Sequence, residues 1–412
     1  MPKIVLQINS SVNRGSHGRI AEEIGKLAIK DGWSSYIVYG RNEGQSKSQT
    51  IKVGSNWDLK WHGLITRLFD RHGLASVKAT KQLIAKIDKI APDIIHLHNI
   101  HGYYLNYKLL FEYLQTVNVP IVWTLHDCWA FTGHCSYFTY VQCNKWKTEC
   151  FRCPQKRGYP ASFFTDRSKK NFLEKKKSFL SVADKLTLVP VSNWLANLCL
   201  QSFFKDTPIK KIYNGVDTDI FKPIFNTEKT KMFKKHKITG SFLIVGVANV
   251  WAPRKGLDDF IKLRSFLSEE YSILLVGLSK KQIQSLPQGI IGVTRTENAT
   301  ELMKIYASAD VFLNPSVEET FGLTTIEALS SGTPAIVYNS SASPELITQD
   351  TGFAVEPQDF PSILNAIDQI KQKGKPHYSA ACREHSLKFF KKEDSYEEYL
   401  QLYAKLIVKN ND

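Results

Sequence analysis

The stretch Ala309-Asp310-Val311-Phe312-Leu313-Asn314-Pro315, then Glu319-Thr320-Phe321-Gly322-Leu323-Thr324-Thr325-Ile326-Glu327 and Ala328-Leu329-Ser330-Ser331-Gly332-Thr333-Pro334, reads as strand, polar loop, helix, glycine stop and a new strand to Val337. The short apolar run fits a buried strand, and Gly332 closes the helix because glycine enters the left-handed region at little cost. A helix opening at Gly322 turns bare backbone N–H groups and its positive dipole end toward the loop, which suits a phosphate. Glu319 precedes that point, and Glu327 would lie about 12 Å further on if the stretch were wholly helical. Two carboxylates flanking a diphosphate could hold the hydroxyls at both ends of a nucleotide-sugar. The alternative is a charge at a helix N-terminus plus one solvated glutamate.

Outward from this stretch the same alternation continues in both directions, which predicts parallel sheets covered by helices on both faces. Strands are expected at Ile4–Ile8, Tyr36–Tyr39, Ile94–Leu97, Ile121–Thr124 and Leu186–Val191, then at Leu243–Val247, Ile273–Val276, Val311–Leu313 and Ala335–Val337. Helices are expected between them, among them Arg19–Lys30, Thr80–Ile90, Leu257–Leu267, Thr300–Ser308 and Pro361–Gln372. The fold class is α/β, with two doubly wound Rossmann-like domains. Residues 1–215 form the first, with a Cys-rich insertion at 128–166, and residues 216–392 form the second. The terminal helix 393–412 has no strand after it and is expected to pack back onto the first domain. Ligands of doubly wound sheets bind beyond the carboxyl ends of the strands, so the two domains are expected to face each other across a cleft.

With 412 residues, 43% of them hydrophobic and 23% charged, the composition is that of a soluble globular protein. No apolar run is long enough to span a bilayer, and the opening residues read as a buried strand rather than an export signal. Seven cysteines, four of them within 135–153, suit a reducing cytoplasm better than a disulfide scaffold. The net charge of +15 calls for an anionic partner. Arg167, Lys169, Lys170, Lys175, Lys176 and Lys177 form one basic cluster, read as a solvated helix face or a membrane-facing patch. Lys229, Lys231, Lys234, Lys235 and Lys237 form another. Phe172 is the one aromatic interleaved with the first cluster, which argues against nucleic acid.

Two further loops follow strands. Asn9 to Arg14, then Gly15, Ser16, His17 and Gly18, lead from the first strand into a helix, with glycines that permit close backbone approach; a tight turn without a ligand is the alternative. Ala252-Pro253-Arg254-Lys255-Gly256 is the corresponding turn of the second half, where Arg254 and Lys255 would supply counter-charge to a diphosphate.

Together, Glu319-x7-Glu327 with Phe321-Gly322, Arg254-Lys255-Gly256, Asn214-Gly215-Val216-Asp217 and Val191-Ser192-Asn193-Trp194 resemble the retaining glycosyltransferases of family 4, group 1, which have the GT-B fold. The resemblance covers essentially the whole chain. Thr124-Leu125-His126-Asp127-Cys128-Trp129 and Asp93-Ile94-Ile95-His96-Leu97-His98 resemble the bacterial capsule, colanic-acid and exopolysaccharide subgroup. The resemblance implies that Glu319 holds donor-sugar hydroxyls beside the reacting carbon and Glu327 the ribose hydroxyls. Lys255, with Arg254, would neutralise the leaving diphosphate, and backbone amides at Gly15, Ser16, Gly322, Leu323 and Thr324 would complete the cradle. His126 would reach the sugar and the reaction centre, and Arg295 would border the base. Relatives carry an arginine shortly after the first strand of the second domain; Asn249 stands there, which leaves Arg254 as its candidate substitute.

The implied reaction transfers a sugar, with retention, from a nucleotide-diphosphate donor to a saccharide on a polyprenyl diphosphate carrier in cell-surface polysaccharide biosynthesis. The enzyme would sit at the cytoplasmic face of the inner membrane, against an anionic surface and without nucleic acid. Arginine, lysine and helix dipoles would stabilise the leaving charge with no catalytic metal. Asp217-Thr218-Asp219 is read as structural rather than as a metal-binding Asp-x-Asp. The rivals are an epimerase or hydrolase of the same fold and a zinc-bearing nucleic-acid-binding protein. Cys135, Cys143, Cys150 and Cys153, ending in a CxxC, are candidate ligands of a structural zinc that would tie down a long loop, with free buried thiols as the alternative. His96, His98 and His101 are read as core or acceptor-side histidines. Trp57, Trp61, Leu64, Ile65, Leu68 and Phe69 recur at helical spacing, as either an interfacial helix or one packed on its own domain.

Overall fold

The short apolar runs pair as parallel strands. In the computed structural model, which describes residues 2–411, β1 (Ile4–Ile8), β2 (Ser34–Tyr39), β3 (Gln49–Lys52), β4 (Ile94–Leu97), β5 (Ile121–Leu125) and β6 (Leu186–Pro190) form one sheet in the order β3-β2-β1-β4-β5-β6. Met1 and Asp412, the last residue of the helix expected over 393–412, lie outside the described residues. The connecting helices are α1 (Gly15–Lys30), α2 (Asn56–Phe69), α3 (Val77–Ile90), α4 (Tyr107–Thr116), α5 (Ser168–Leu180) and α6 (Asn193–Gln201).

A second parallel sheet holds β7 (Phe242–Val247), β8 (Tyr271–Val276), β9 (Ile290–Val293), β10 (Val311–Asn314), β11 (Ala335–Tyr338) and β12 (Gly352–Val355), in the order β12-β11-β10-β7-β8-β9. Read from its own first strand, that is the same order as in the first sheet, and both are the doubly wound Rossmann order. Its helices are α7 (Asn226–His236), α8 (Leu257–Arg264), α9 (Lys280–Gln284), α10 (Ala299–Ser308), α11 (Leu323–Ser330), α12 (Phe360–Lys373) and α13 (Lys375–Phe389), before the terminal α14 (Lys392–Asn411). One compact unit comprises residues 1–213 with 395–412, and the other residues 214–394.

The terminal helix completes the core of the first unit. Tyr396, Tyr399, Leu400 and Tyr403 of α14 pack with Val5, Ile94, Val122 and Val189 of the sheet and with Ile20 and Ile24 of α1. Two of those tyrosines carry buried hydroxyls that meet polar partners inside. Tyr403 pairs with His96 Nδ1 at 2.6 Å, and Thr124 Oγ1 donates to the Tyr399 hydroxyl at 3.1 Å. His96 is thus a core residue.

Three sequence readings change. Strands β3, β9 and β12 were not anticipated; each is an edge strand of only four residues. Helix α1 starts at Gly15 rather than Arg19, and α11 starts at Leu323, so Glu319 to Gly322 are not helical. Lys175 is not part of an exposed basic run. It is buried, its Nζ donates to the carbonyls of Trp129 (2.7 Å) and Thr132 (3.0 Å), and it sits over the Trp129 ring.

Candidate functional site

In the second unit, the topological switch point lies between β7 and β10, and the loops leaving these strands carry the charged residues. After β7, the short turn Pro253–Lys255 ends at Gly256, whose φ is +73°. A Cβ there would meet the Pro315 carbonyl oxygen at 2.5 Å, so glycine is what lets this turn lie against the loop after β10. Cross-loop bonds fasten the contact. Arg254 Nη1 donates to the Glu318 carbonyl at 2.7 Å, and Val317 N donates to the Arg254 carbonyl at 3.0 Å.

This docking brings Lys255 Nζ into an ion pair with Glu319 Oε1. Burial pushes the Glu319 carboxyl up, but the attraction of Lys255 and Arg254 outweighs it, so the group titrates below the usual glutamate range. Burial also pulls the Lys255 ammonium below its ordinary value, against the opposing pull of Glu319. Glu319 N donates to Ser341 Oγ at 2.8 Å, which fixes the backbone beneath the carboxylate. Helix α11 then begins after Gly322 (φ +110°) with no side-chain cap, leaving the N–H groups of Leu323 and Thr324 in its unbonded first turn. Cation, carboxylate and helix N-terminus thus meet around one switch point, an arrangement that can hold a diphosphate while a carboxylate faces its substituent.

Other anticipated residues fall differently. Phe321 is buried with its ring 6.0 Å from that of Phe390, so the ring anchors the loop and only its backbone borders the helix start. Glu327 lies one turn into α11, where Tyr306 OH donates to Oε2 at 3.0 Å; α10 thereby orients the carboxylate. Arg295 is exposed beyond the edge strand β9, which β8 separates from β7, and stands apart from the Lys255–Glu319 pair. Asn249 is exposed on the loop after β7. Asp217 accepts from Lys392 Nζ (2.6 Å) and from the backbone N–H groups of Asp219 and Ile220, a purely structural set of bonds.

In the first unit the switch point lies between β1 and β4. Gly15 and Ser16 open α1, exposed, after an extended Arg14 that makes no side-chain cap. Asn9, which the sequence did not single out, organises this turn. Its Oδ1 accepts from Ser10 N (2.9 Å) and meets His17 Nδ1 (2.9 Å), while its Nδ2 donates to the carbonyls of Ser11 and His17. Beside it, His126 follows β5 and stacks at 5.3 Å and 13° on His98, which follows β4.

The hydrogen-bond chain here fixes tautomers. Gln7 Nε2 donates to the Ala21 carbonyl, so Gln7 Oε1 accepts from His98 Nε2 at 3.0 Å. His98 is neutral, because burial drives its pKa well below 6.5. Its Nδ1 therefore accepts from His126 Nε2 at 3.1 Å. That leaves the lone pair of His126 on Nδ1, and burial first, then His98, keeps His126 neutral as well. Two side chains behind it thus set the tautomer of a neutral imidazole. Gln7 and His98 were missed as supports because their role depends on neighbouring strands, not on spacing along one.

Cys135, Cys143, Cys150 and Cys153 come together around one small cavity in the first unit. Among the described residues, no group of three or more His, Cys, Asp or Glu side chains is placed so that it could hold a metal ion as it stands.

Residues 18–220 match the family model for Glycosyltransferase Family 4, and residues 241–373 that for Glycosyl transferases group 1. The chain belongs to glycosyltransferase family 4, group 1. This glycosyltransferase is 24% identical over 429 residues to the putative colanic acid biosynthesis glycosyl transferase WcaC of Escherichia coli K12, covering 98% of this chain and 100% of that one. Sucrose-phosphate synthase from Thermosynechococcus elongatus superposes with a TM-score of 0.72 at 18% identity, over 99% of this chain and 100% of that one. Anabaena HepE, solved in complex with UDP-glucose, superposes with a TM-score of 0.66 at 13% identity, over 98% and 99% of the two chains. The fold of this glycosyltransferase is GT-B. Among its described residues, no helix is long and apolar enough to cross a membrane.

Proposed function

We propose that the enzyme transfers a hexosyl unit, with retention of anomeric configuration, from a nucleoside-diphosphate sugar to a saccharide carried on a polyprenyl diphosphate, in the synthesis of a cell-surface polysaccharide. The observation that carries the reading is the Lys255–Glu319 pair beside the uncapped start of α11, astride the β7/β10 switch point. Breaking the anomeric bond leaves negative charge on the diphosphate, and Lys255, Arg254 and the α11 amides would take it up without a catalytic metal. Glu319 would hold the sugar hydroxyls beside the reacting carbon, Glu327 the ribose, and Arg295 the edge of the base. In the first unit, Gly15, Ser16 and His126 are likewise assigned to donor binding. HepE's complex with UDP-glucose supports a nucleotide-sugar donor, and the similarity to WcaC, a putative colanic acid biosynthesis glycosyl transferase, supports the polysaccharide setting.

Uridine, guanosine and adenosine diphosphate sugars should be screened by calorimetry and by nucleotide release. One donor is expected to bind and hydrolyse slowly, and a lipid-linked saccharide should accelerate its consumption and acquire the sugar. Glu327→Ala should weaken that donor about tenfold in KM with little change in kcat. Donor consumption that no acceptor accelerates would favour the epimerase or hydrolase of the same fold.

A second observation supports work at the cytoplasmic face of the inner membrane. Helix α2 is amphipathic in reverse: His62, Gly63 and Thr66 face inward while Trp57, Trp61, Leu64 and Phe69 are exposed. The loop bonded to its last turn, with Phe163 N on the Arg67 carbonyl and Thr165 Oγ1 on that of Leu68, adds exposed Phe163 and Phe164. Lys60 Nζ lies 4.9 Å from the Trp57 ring centre, and Arg71 and Arg157, in the segments that follow α2 and precede Phe163, are exposed. Exposed aromatic rings accompanied by cations suit an anionic lipid surface. Sedimentation with phosphatidylglycerol vesicles is expected, weakening at least about tenfold in Trp57→Glu/Trp61→Glu and on replacement of the anionic lipid by phosphatidylcholine. Vesicle binding unchanged by the double substitution would assign α2 no part in it.

A further inference from the structure

Between β5 and α5 the chain runs through residues 126–167 with only three short 3-10 turns. A segment this long with so little regular structure needs something other than backbone ladders to hold it. Part of it is tied to the unit. His134 Nδ1 meets the buried carboxylate of Asp70 at 2.6 Å, and Arg167 N donates to the other oxygen of the same carboxylate at 2.7 Å. The part from 135 to 153 contributes Phe138 and Trp146 to a small aromatic cluster with Phe131, with rings 4.9 to 6.2 Å apart. Against that cluster, a cavity of about 10 Å3 is bounded by Cys135, Cys143, Cys150 and Cys153 together with Phe138 and Trp146.

We propose that this cavity is a structural zinc site with those four cysteines as its ligands. Four thiols separated by up to eighteen residues line one small cavity, near enough for Cys135 and Cys153 to share a hydrogen bond and for Cys143 and Cys150 to act electrostatically on Cys135, and binding would draw their sulfurs together onto one ion. Backbone N–H groups already point at two of the sulfurs. Gly133 N donates to Cys150 Sγ at 3.2 Å, and Gln155 N donates to the Cys153 sulfur two residues before it. Such bonds favour thiolates over thiols, and a metal-bound sulfur needs them more than a buried thiol does. Cys135 and Cys153 share a thiol hydrogen bond. Metal binding would replace it with four Zn–S bonds of about 2.3 Å. The step balances as Zn2+ plus four thiols giving a tetrathiolate zinc dianion and four protons released to buffer. Arg152, in the left-handed region at φ +44°, turns the chain between Cys150 and Cys153 so that both can reach one ion. The proposal is independent of the reading of the donor site.

The test uses the full chain purified from zinc-supplemented medium. Elemental analysis is expected to find about one zinc per chain, falling below about a tenth in Cys143→Ser/Cys153→Ser, while Cys199→Ser, buried outside the cluster, keeps its metal. Should the double variant fail to fold, alkylation mapping of the wild type decides. Zinc should protect Cys135, Cys143, Cys150 and Cys153, and chelator should expose those four while leaving Cys128, Cys199 and Cys382 unchanged. Metal-free protein with these four thiols reactive, iron in place of zinc, a disulfide among them, or equal metal loss in Cys199→Ser would each overturn the assignment.

Discussion

Lys255→Ala is expected to lower kcat/KM by about a thousandfold, equivalent to about 4 kcal/mol of transition-state stabilisation. Two losses combine. The cation assigned to the departing diphosphate is gone, and Glu319 remains in a buried position without its ion-pair partner. In the native site, burial and the two cations pull Glu319 in opposite directions, and the cations win. Without Lys255 burial gains, so the acid limb of the pH–rate profile should move to higher pH. Glu319→Gln separates the two roles. It keeps the cation and removes the carboxylate, so turnover should fall by about a hundredfold or more while nucleoside-diphosphate affinity is retained or tightened. Wild-type turnover in either variant, or loss of nucleotide affinity in Glu319→Gln with turnover kept, would reverse the assignment of the two residues.

The second large effect is on acid stability, and it belongs to the first unit. Burial lowers the pKa of His62 to about 3 and that of His17 to about 4, and drives those of His72, His96, His98 and His126 well below 6.5. The unfolded chain, with histidines near 6.5, therefore binds more protons than the folded one below that pH. Stability from these groups is complete above about pH 6.5 and is lost as pH falls toward the folded values. His62, fully buried between Ser76 Oγ and Gly73 N, would alone withdraw about 3 kcal/mol between pH 6.5 and 4. Seven of the eight tryptophans lie in this unit, so the tryptophan-monitored melting temperature should drop steeply over that interval. A flat profile from pH 7 to 4 would show that the histidines are not held neutral.

The sheets were legible in sequence where strands are buried on both sides. Val5, Ile94, Val122 and Leu243 belong to strands that are mostly apolar on both sides because both faces are covered, with Gln7, His96 and Thr124 as buried polar interruptions. The three missed strands all lie at sheet edges, where β3 exposes Gln49, Thr50 and Lys52 and a continuous run is not required. In the site, Glu319, Lys255 and Gly322 could be found because loops after strands carry ligands in this topology. The supports could not. Gln7 reaches His98 only through the pairing of β1 with β4, Tyr306 and Ser341 reach Glu327 and the Glu319 backbone from separate elements, and Asn9 acts through the local shape of its turn, which spacing alone does not reveal. Lys175 misled for the opposite reason: its neighbours are cations on one helix, yet its own rotation about that helix points it inward.

The tyrosine-bearing face of α14 has a consequence for synthesis on the ribosome. The first unit is made first but cannot be finished first, because the side chains that cover Val5, Ile94, Val122 and Val189 and satisfy His96 arrive only after the entire second unit has been translated. Until then α1 covers that face of the nascent sheet without α14, and the His96 imidazole lacks its tyrosine hydroxyl. The slowest and most chaperone-dependent interval of biogenesis should therefore last until α14 has been translated, after the second unit.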